Sequence, residues 1–245
     1  MTDQKPAVVL VHGAFAESAS WNGVIELLQQ EGVECIAAAN PLRSLSGDAA
    51  YVRDVIAAVG RPVVLVGHSY GGLVISEAAA GNESVAGLVY VNAFVPEHGQ
   101  TAFDLSNEFP GSTLGDALAP QKLADGSVEL LIQPALFRHQ FCADVPAGVA
   151  ALMAATQRPV TQAALTEPLA AETPAWMTIP SWCVFSDQDL NIPVAEHRAG
   201  AERANARVAR EVQGGSHALS VSQPVAVAET ILDAVAAVGA VSVGV

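Results

Sequence analysis

A serine within a pattern of glycines has the clearest chemical potential in this sequence. Ser69 stands at the centre of Gly67-His68-Ser69-Tyr70-Gly71, the G-x-S-x-G pattern of a nucleophile elbow. In such an elbow a sharp turn between a strand and a helix holds the serine in a strained backbone conformation, and the flanking glycines let neighbouring segments come close. The pattern arises by chance in about one chain in ten of this length. Its context favours chemistry, because a continuous apolar run precedes it and a helical pattern follows it.

A serine hydroxyl is a weak nucleophile, so it needs a base within hydrogen-bond distance and an acid that orients the base. Of the six histidines, only His217 follows the candidate acids in a glycine-rich loop at the end of a predicted strand. His197 falls in a predicted helix beside charged residues and is interpreted as a solvated surface residue. His68, inside the elbow, is expected to point away from the site. The acid is Asp187 or Asp189, both just beyond a predicted strand.

The elements that would position these residues alternate between strands and helices, which predicts a parallel sheet with helices on both faces. Sites in such sheets lie beyond the carboxyl ends of the strands, so His12, Ser69 and the segment after Asn92 should share one rim. The predicted strands are 7–11, 33–39, 62–66, 86–91, 179–185 and 207–212. The predicted helices are 20–28, 47–59, 73–80, 193–205 and 223–238, followed by a frayed tail from 239.

From about residue 95 to 175 the alternation stops, and this insertion predicts a mainly helical lid over the rim of a core formed by 1–94 and 176–245. Helical fragments are predicted at 128–132 and 145–156, and no strong strand pattern is present. The large apolar side chains of the insertion could line a pocket, although most are expected to pack the lid onto the sheet. They are Phe103, Leu105, Phe109, Leu114, Leu118, Leu131, Leu136, Phe137, Phe141, Leu152, Met153 and Trp176.

The composition restricts the partners and the location of the protein. The 245 residues are 51% hydrophobic, enough for a sizeable core, and the net charge of −14 argues against binding to nucleic acid or to an acidic membrane surface. The polar first residues predict no signal peptide, and the apolar stretch 234–245 is too short to span a bilayer. Cys35, Cys142 and Cys183 lack metal-ligand spacing and are expected to be reduced, which favours a cytoplasmic location. Nothing in the sequence favours a particular oligomeric state.

Four segments of the chain together resemble the α/β-hydrolase superfamily, in which the serine, acid and histidine follow one another in this order. Within it they are most similar to a branch of small cofactor-free esterases that includes plant methyl-salicylate-type esterases and hydroxynitrile lyases. The resemblance covers nearly the whole chain, is weakest in the lid, and implies an α/β-hydrolase fold with no metal and no organic cofactor. The segments are His12-Gly13, 67–71, 186–193 and 214–217.

The resemblance also implies roles for individual residues. In that branch the acid is the aspartate four residues before the proline that opens the next helix, here Asp189. Asp187 would then shape the turn or cap a backbone amide.

An oxyanion hole is implied by the same elbow and the same family pattern. The backbone N–H of Tyr70 would be one donor, and the residue after His-Gly, Ala14, would supply the other. Gly13 would permit the close approach of this loop, and His12 would be structural rather than catalytic.

The expected reaction is hydrolysis of a small, largely apolar carboxylic ester through an acyl-enzyme intermediate. Hydroxynitrile lyase and perhydrolase activity, or a non-catalytic receptor on the same fold, are the alternatives. The plant lyases of the branch carry a threonine where this chain has Gly13, and a lysine where it has Ala218, and both departures favour the hydrolase. A haloalkane dehalogenase would need an aspartate in place of Ser69.

Overall fold

The computed structural model describes residues 5–241. The strands are β1 (Ala7–Val11), β2 (Cys35–Ala38), β3 (Val63–His68), β4 (Val85–Val91), β5 (Leu118–Lys122), β6 (Val128–Ile132), β7 (Val160–Thr161), β8 (Ser181–Ser186) and β9 (Val208–Val212). The α-helices are α1 (Asn22–Gln30), α2 (Leu45–Val59), α3 (Gly71–Ala78), α4 (Ala102–Ser106), α5 (Leu114–Ala117), α6 (Pro134–Phe141), α7 (Ala147–Thr156), α8 (Gln162–Thr166), α9 (Val194–Arg203), α10 (Leu219–Ser222) and α11 (Pro224–Val241).

Six of these strands form one parallel sheet in the order β2-β1-β3-β4-β8-β9. Successive residues of a strand enter different cores: Val9 packs on the face covered by α2 and α3, and Val8 on the face covered by α1 and α11. Because both faces are buried, the strands are apolar throughout instead of alternating with polar residues. The predicted parallel sheet with helices on both faces is confirmed.

Several helix ends differ from the prediction by a few residues, among them the start of α2 and the end of α11. Helix α2 begins at Leu45, because the Ser44 side chain accepts a hydrogen bond from the Gly47 N–H (3.1 Å) and caps the helix. Helix α11 continues to Val241 although the sequence predicted an end at 238, and residues 242–245 of the predicted tail lie outside the described residues. Within the described part of the chain, no helix combines the length and the apolar character needed to cross a membrane.

The segment between β4 and β8 carries helices α4 to α8, so it is mainly helical as predicted, together with a small antiparallel sheet in the order β5-β6-β7. The prediction of a helical fragment at 128–132 was wrong, since these residues form β6. A short apolar run fits a helix or a strand equally well, and pairing with β5 decides the outcome. Strand β5 contains Pro120, which is tolerated because β5 lies at the edge of its sheet.

Hydrogen bonds hold the small sheet against the loop that follows β2. Thr161 donates its N–H to the Leu42 carbonyl (3.0 Å) and its hydroxyl to the Arg43 carbonyl (2.7 Å). The Arg43 guanidinium in turn pairs with the carboxylate of Glu129 in β6 at 2.9 Å. The inserted segment is therefore attached to the loop after β2 in addition to the two points where it joins the rest of the chain in sequence.

Candidate active site

Ser69 occupies the turn between β3 and α3, with a backbone φ of 56°. This left-handed conformation is strained for a residue with a side chain. A Cβ atom on Gly67 would lie 2.6 Å from the Gly71 carbonyl oxygen, and one on Gly13 would lie 2.6 Å from the Cβ of Ser69. Both glycines are therefore required by the close packing, and the loop after β1 lies directly against the serine.

His217 and Asp189 form a buried hydrogen-bonded pair beyond the ends of β9 and β8. The Nδ1 of His217 lies 2.7 Å from the Oδ2 of Asp189. The other carboxylate oxygen, Oδ1, accepts the backbone N–H groups of Asn191 (2.7 Å) and Ile192 (3.0 Å). Burial by itself would raise the pKa of Asp189, but the neighbouring His217 and His197 hold it below its ordinary value. Asp189 is therefore an ionised carboxylate in a fixed orientation.

The second ring nitrogen of His217, Nε2, is buried and accepts or donates no hydrogen bond among residues 5–241. The carbonyl of His217 accepts a hydrogen bond from the Nε2 of His68 (2.9 Å), and the two rings lie 4.7 Å apart between centroids. Because His68 directly precedes Ser69, these contacts bring the histidine loop to the elbow. An imidazole whose Nδ1 is occupied by a carboxylate and whose Nε2 is unoccupied is suited to accept a proton.

Two residues with unoccupied backbone N–H groups line the same cavity as the serine. Ala14 and Tyr70 line that cavity with Ser69, and their N–H groups donate to no acceptor in the described range. The N–H of Phe15, the next residue after Ala14, is occupied by the Arg158 carbonyl at 3.1 Å. Two unoccupied amide groups beside a nucleophile could stabilise a negatively charged oxygen.

His12 and Asp187, two further predicted residues, make contacts that stabilise the local structure. His12 is buried, its Nδ1 lies 2.9 Å from the Gly13 carbonyl oxygen, and burial lowers its pKa to about 4, so it stays neutral. The carboxylate of Asp187 accepts the N–H of Gly214 at 2.6 Å. Asp187 therefore caps the turn after β9, while Asp189 contacts His217.

The cavity over the elbow has a volume of about 700 Å³ and lies between the sheet and the inserted segment. Its walls are apolar for the most part, and Asp116, which is exposed, is its one charged lining residue among residues 5–241. A binding site of this composition suits an uncharged ligand. The predicted lining residues that border it are Phe103, Phe109, Leu114 and Leu118.

Other apolar residues of the insertion pack elsewhere. Phe137 and Phe141 are buried and stack at 5.1 Å between ring centroids, and Phe141 meets the ring of His217 edge-on at 4.9 Å. Leu136 and Leu152 are exposed, and Trp176 lies outside the cavity. Helix α6 thus packs against the ring of His217 through Phe141, a contact that the sequence pattern did not indicate.

A sequence model of the Alpha/beta hydrolase family matches residues 8–230 of the chain. The chain belongs to this family. Among its relatives, Alpha/beta hydrolase nvfD from Aspergillus novofumigatus is 28% identical, over 94% of this chain and 96% of that protein. The Pyrethroid hydrolase of Sphingobium wenxiniae is also 28% identical, over 92% of this chain and 86% of that protein.

The solved structure of polyneuridine aldehyde esterase superposes with a TM-score of 0.80 at 22% identity, over 94% of this chain and 99% of that one. A likeness at this level of identity establishes the fold. The predicted α/β-hydrolase fold and superfamily are confirmed.

His197 does not lie on the surface of this α/β hydrolase, contrary to the interpretation of its sequence. Only 4% of it is exposed, and its Nε2 lies 3.0 Å from the Oδ2 of Asp189, the same oxygen that faces His217. Its ring stacks on Phe185 at 5.5 Å between centroids. Helix α9 presents this face to the core, whereas the neighbouring Arg198 is exposed. Charged neighbours suggested solvent, but the helical period decides which side chains enter the core.

Asn92 is a further residue of the site that sequence reasoning did not single out. Its Nδ2 donates to the Ser216 carbonyl (2.9 Å) and the His217 carbonyl (3.1 Å), and its Oδ1 accepts the N–H of Ser186 (2.8 Å). The side chain thus joins the ends of β4 and β8 to the histidine loop. The available signal was a polar residue directly after a buried apolar strand.

Proposed function

We propose that this α/β hydrolase cleaves an uncharged carboxylic ester through an acyl-enzyme intermediate on Ser69. The observation that carries the proposal is the buried pair of His217 and Asp189, whose imidazole Nε2 is unoccupied and whose loop is hydrogen-bonded to His68, the residue before the elbow serine. The cavity over that serine has little charge, which favours a neutral substrate over an ionic one. The relative named Pyrethroid hydrolase and the structural neighbour named polyneuridine aldehyde esterase support hydrolytic chemistry on this fold. Residues 95–175 are proposed to act as the lid.

The proposed reaction proceeds in two halves. His217 takes the proton of Ser69 through Nε2 as the serine oxygen attacks the ester carbonyl, and the amides of Ala14 and Tyr70 bind the resulting oxyanion. His217 then protonates the leaving alcohol as the carbon–oxygen bond breaks. Water then attacks the acyl-enzyme as His217 takes its proton, and His217 returns this proton to Ser69 Oγ as the acyl–oxygen bond breaks and the acid is released. Asp189 keeps the imidazole proton on Nδ1 and stabilises the imidazolium that forms.

The proposal is tested with an ester and a covalent probe. The protein should release p-nitrophenol from p-nitrophenyl acetate, and a fluorophosphonate should inactivate it and add one phosphonyl group to the peptide that contains Ser69. Ser69→Ala is the control and should neither turn over nor be labelled. Hydrolysis no faster than that of the control, with no labelled peptide, would exclude the proposed function.

A second prediction concerns His197, which we interpret as a positioning residue that acts through Asp189. Replacing it with leucine removes one donor from the carboxylate, so Asp189 should attract the His217 proton more strongly. The acid limb of the pH profile of kcat/KM should move upward by about 1 pH unit.

The matched control is His197→Gln, whose carboxamide can still donate to Asp189. Its pH profile should stay close to that of the wild-type protein. Equal displacement of the acid limb in both variants would show that the packing of the ring on Phe185 matters and that hydrogen-bond donation does not.

A further inference from the structure

The cavity is lined by a buried polar residue, Asn191, whose side chain has no role in the proposed reaction. Asn191 lies on the loop between β8 and α9, two residues after Asp189, and borders the cavity that contains Ser69. It is only 2% exposed, so its polar atoms need partners within the protein or from a ligand. The backbone N–H of Asn191 is occupied by Asp189, which leaves the carboxamide to be accounted for.

The orientation of this carboxamide is fixed by a chain of hydrogen bonds. Gln140 lies 2.9 Å from the Leu190 carbonyl oxygen through its Nε2, and a carbonyl oxygen can only accept. The NH2 group of Gln140 must therefore face this loop, and the same Nε2 donates to the Oδ1 of Asn191 at 2.9 Å. The oxygen of Gln140 accepts the Thr113 hydroxyl at 2.9 Å, which is consistent with this orientation.

The fixed orientation leaves a donor without a partner. Because the Oδ1 of Asn191 faces Gln140, its Nδ2 is directed away from Gln140. This Nδ2 donates to no acceptor within residues 5–241, and it is not among the fully enclosed unpartnered atoms. An oriented, buried amide donor in the wall of a mainly apolar cavity is the kind of group that fixes a ligand and selects it.

We propose that Asn191 donates a hydrogen bond to a second oxygen of the ester, one that is not the reacting carbonyl oxygen. The reacting oxygen is already assigned to the amides of Ala14 and Tyr70. A carboxylate is a poor candidate for this acceptor, since Asp116 is the one charged residue among the described lining residues. The preferred substrates are therefore neutral esters that carry an ether, keto or hydroxyl oxygen. This inference rests on the proposed ester hydrolysis.

The test compares esters that differ by a single oxygen in place of a CH2 group. The acyl-side pair is ethyl phenoxyacetate and ethyl 3-phenylpropanoate, and the alcohol-side pair is 2-phenoxyethyl acetate and 3-phenylpropyl acetate. For each protein the ratio of kcat/KM for the oxygen ester to that for the carbon ester is measured by titration of the released acid. Within one protein this ratio cancels general losses of activity, and comparing the ratio between proteins cancels the intrinsic reactivity of each ester.

In at least one pair, Asn191→Leu and Asn191→Asp should lower the ratio about fivefold to tenfold relative to the wild-type protein. Leucine removes the donor, and aspartate replaces it with an acceptor while keeping the oxygen that faces Gln140. Gln162→Leu, which changes an exposed carboxamide at the cavity, should leave the ratio unaltered.

The two proposals fail in different ways. No hydrolysis of any of the four esters by the wild-type protein would count against the proposed function. Hydrolysis with the same ratios in the wild-type protein and both Asn191 variants, in both pairs, would overturn the assignment of Asn191 and leave the proposed function intact.

Discussion

Ser69→Ala should lower kcat for ester hydrolysis by about 10⁶-fold. The reason is that Ser69 Oγ forms the covalent bond of the proposed acyl-enzyme, so no other group replaces it. Alanine at this position keeps the backbone φ of 56° at a steric cost similar to that of serine, and the thermal midpoint should therefore change little. The measurement is the rate of alcohol release at high enzyme concentration, together with a circular dichroism melt.

A double variant tests whether the serine and the histidine act as one unit. His217→Ala alone should cost about as much as Ser69→Ala, and the two substitutions together should cost no more than either alone. Ser69→Ala retaining more than about one hundredth of wild-type kcat would place the nucleophile elsewhere, since even the loss of one oxyanion donor costs about 10² to 10³.

Asp189→Asn should lower kcat by about 10⁴-fold. The backbone N–H groups of Asn191 and Ile192 both donate to the Oδ1 of Asp189, so the amide oxygen of the new asparagine must stay at that position. Its NH2 group would then face the Nδ1 of His217, which could no longer donate. The imidazole would keep its proton on Nε2, where the proposed mechanism needs a lone pair.

The neighbouring aspartate offers a matched control. Asp187→Asn keeps an oxygen that can accept the Gly214 N–H, so kcat should stay within about tenfold of wild type, the most that one neutral hydrogen bond would cost. Both variants are compared by kcat for one ester at its optimum pH. Loss of turnover in Asp187→Asn with retention in Asp189→Asn would reverse the assignment of the acid.

The main sheet could be predicted because its signal is local. A strand buried on both faces must be apolar at every position, so runs such as Ala7–Val11 stand out in the sequence. The small sheet of the insertion could not, because Pro120 obscures the strand pattern of β5 and because β6 pairs with the distant β7, where Glu129 lies opposite Thr161. Strand pairing between distant segments leaves little trace in either segment alone.

The candidate site was predictable in its parts and less so in its contacts. The pattern around Ser69 and the loop of His217 are visible in the sequence, but the choice between Asp187 and Asp189 came from resemblance to a family. The structure separates the two aspartates by their partners, Gly214 for one and His217 for the other.

His197 was misinterpreted because burial of a helix face is set by what the helix packs against. The contact between Gln140 and Asn191 joins residues 51 positions apart, and no sequence motif predicts a contact between two carboxamides.

The hydrogen bonds that orient Asn191 come from the inserted segment, since both Gln140 and Thr113 belong to it and Leu190 and Asn191 belong to the core. Swinging this segment outward to admit a molecule would carry Gln140 away and free the Asn191 carboxamide to rotate. Asn191 would then distinguish between substrates only after the segment has closed, so molecules without the second oxygen could enter the cavity and would be selected against afterwards. A variant in which the inserted segment stays open should bind a wider range of esters and distinguish poorly among them.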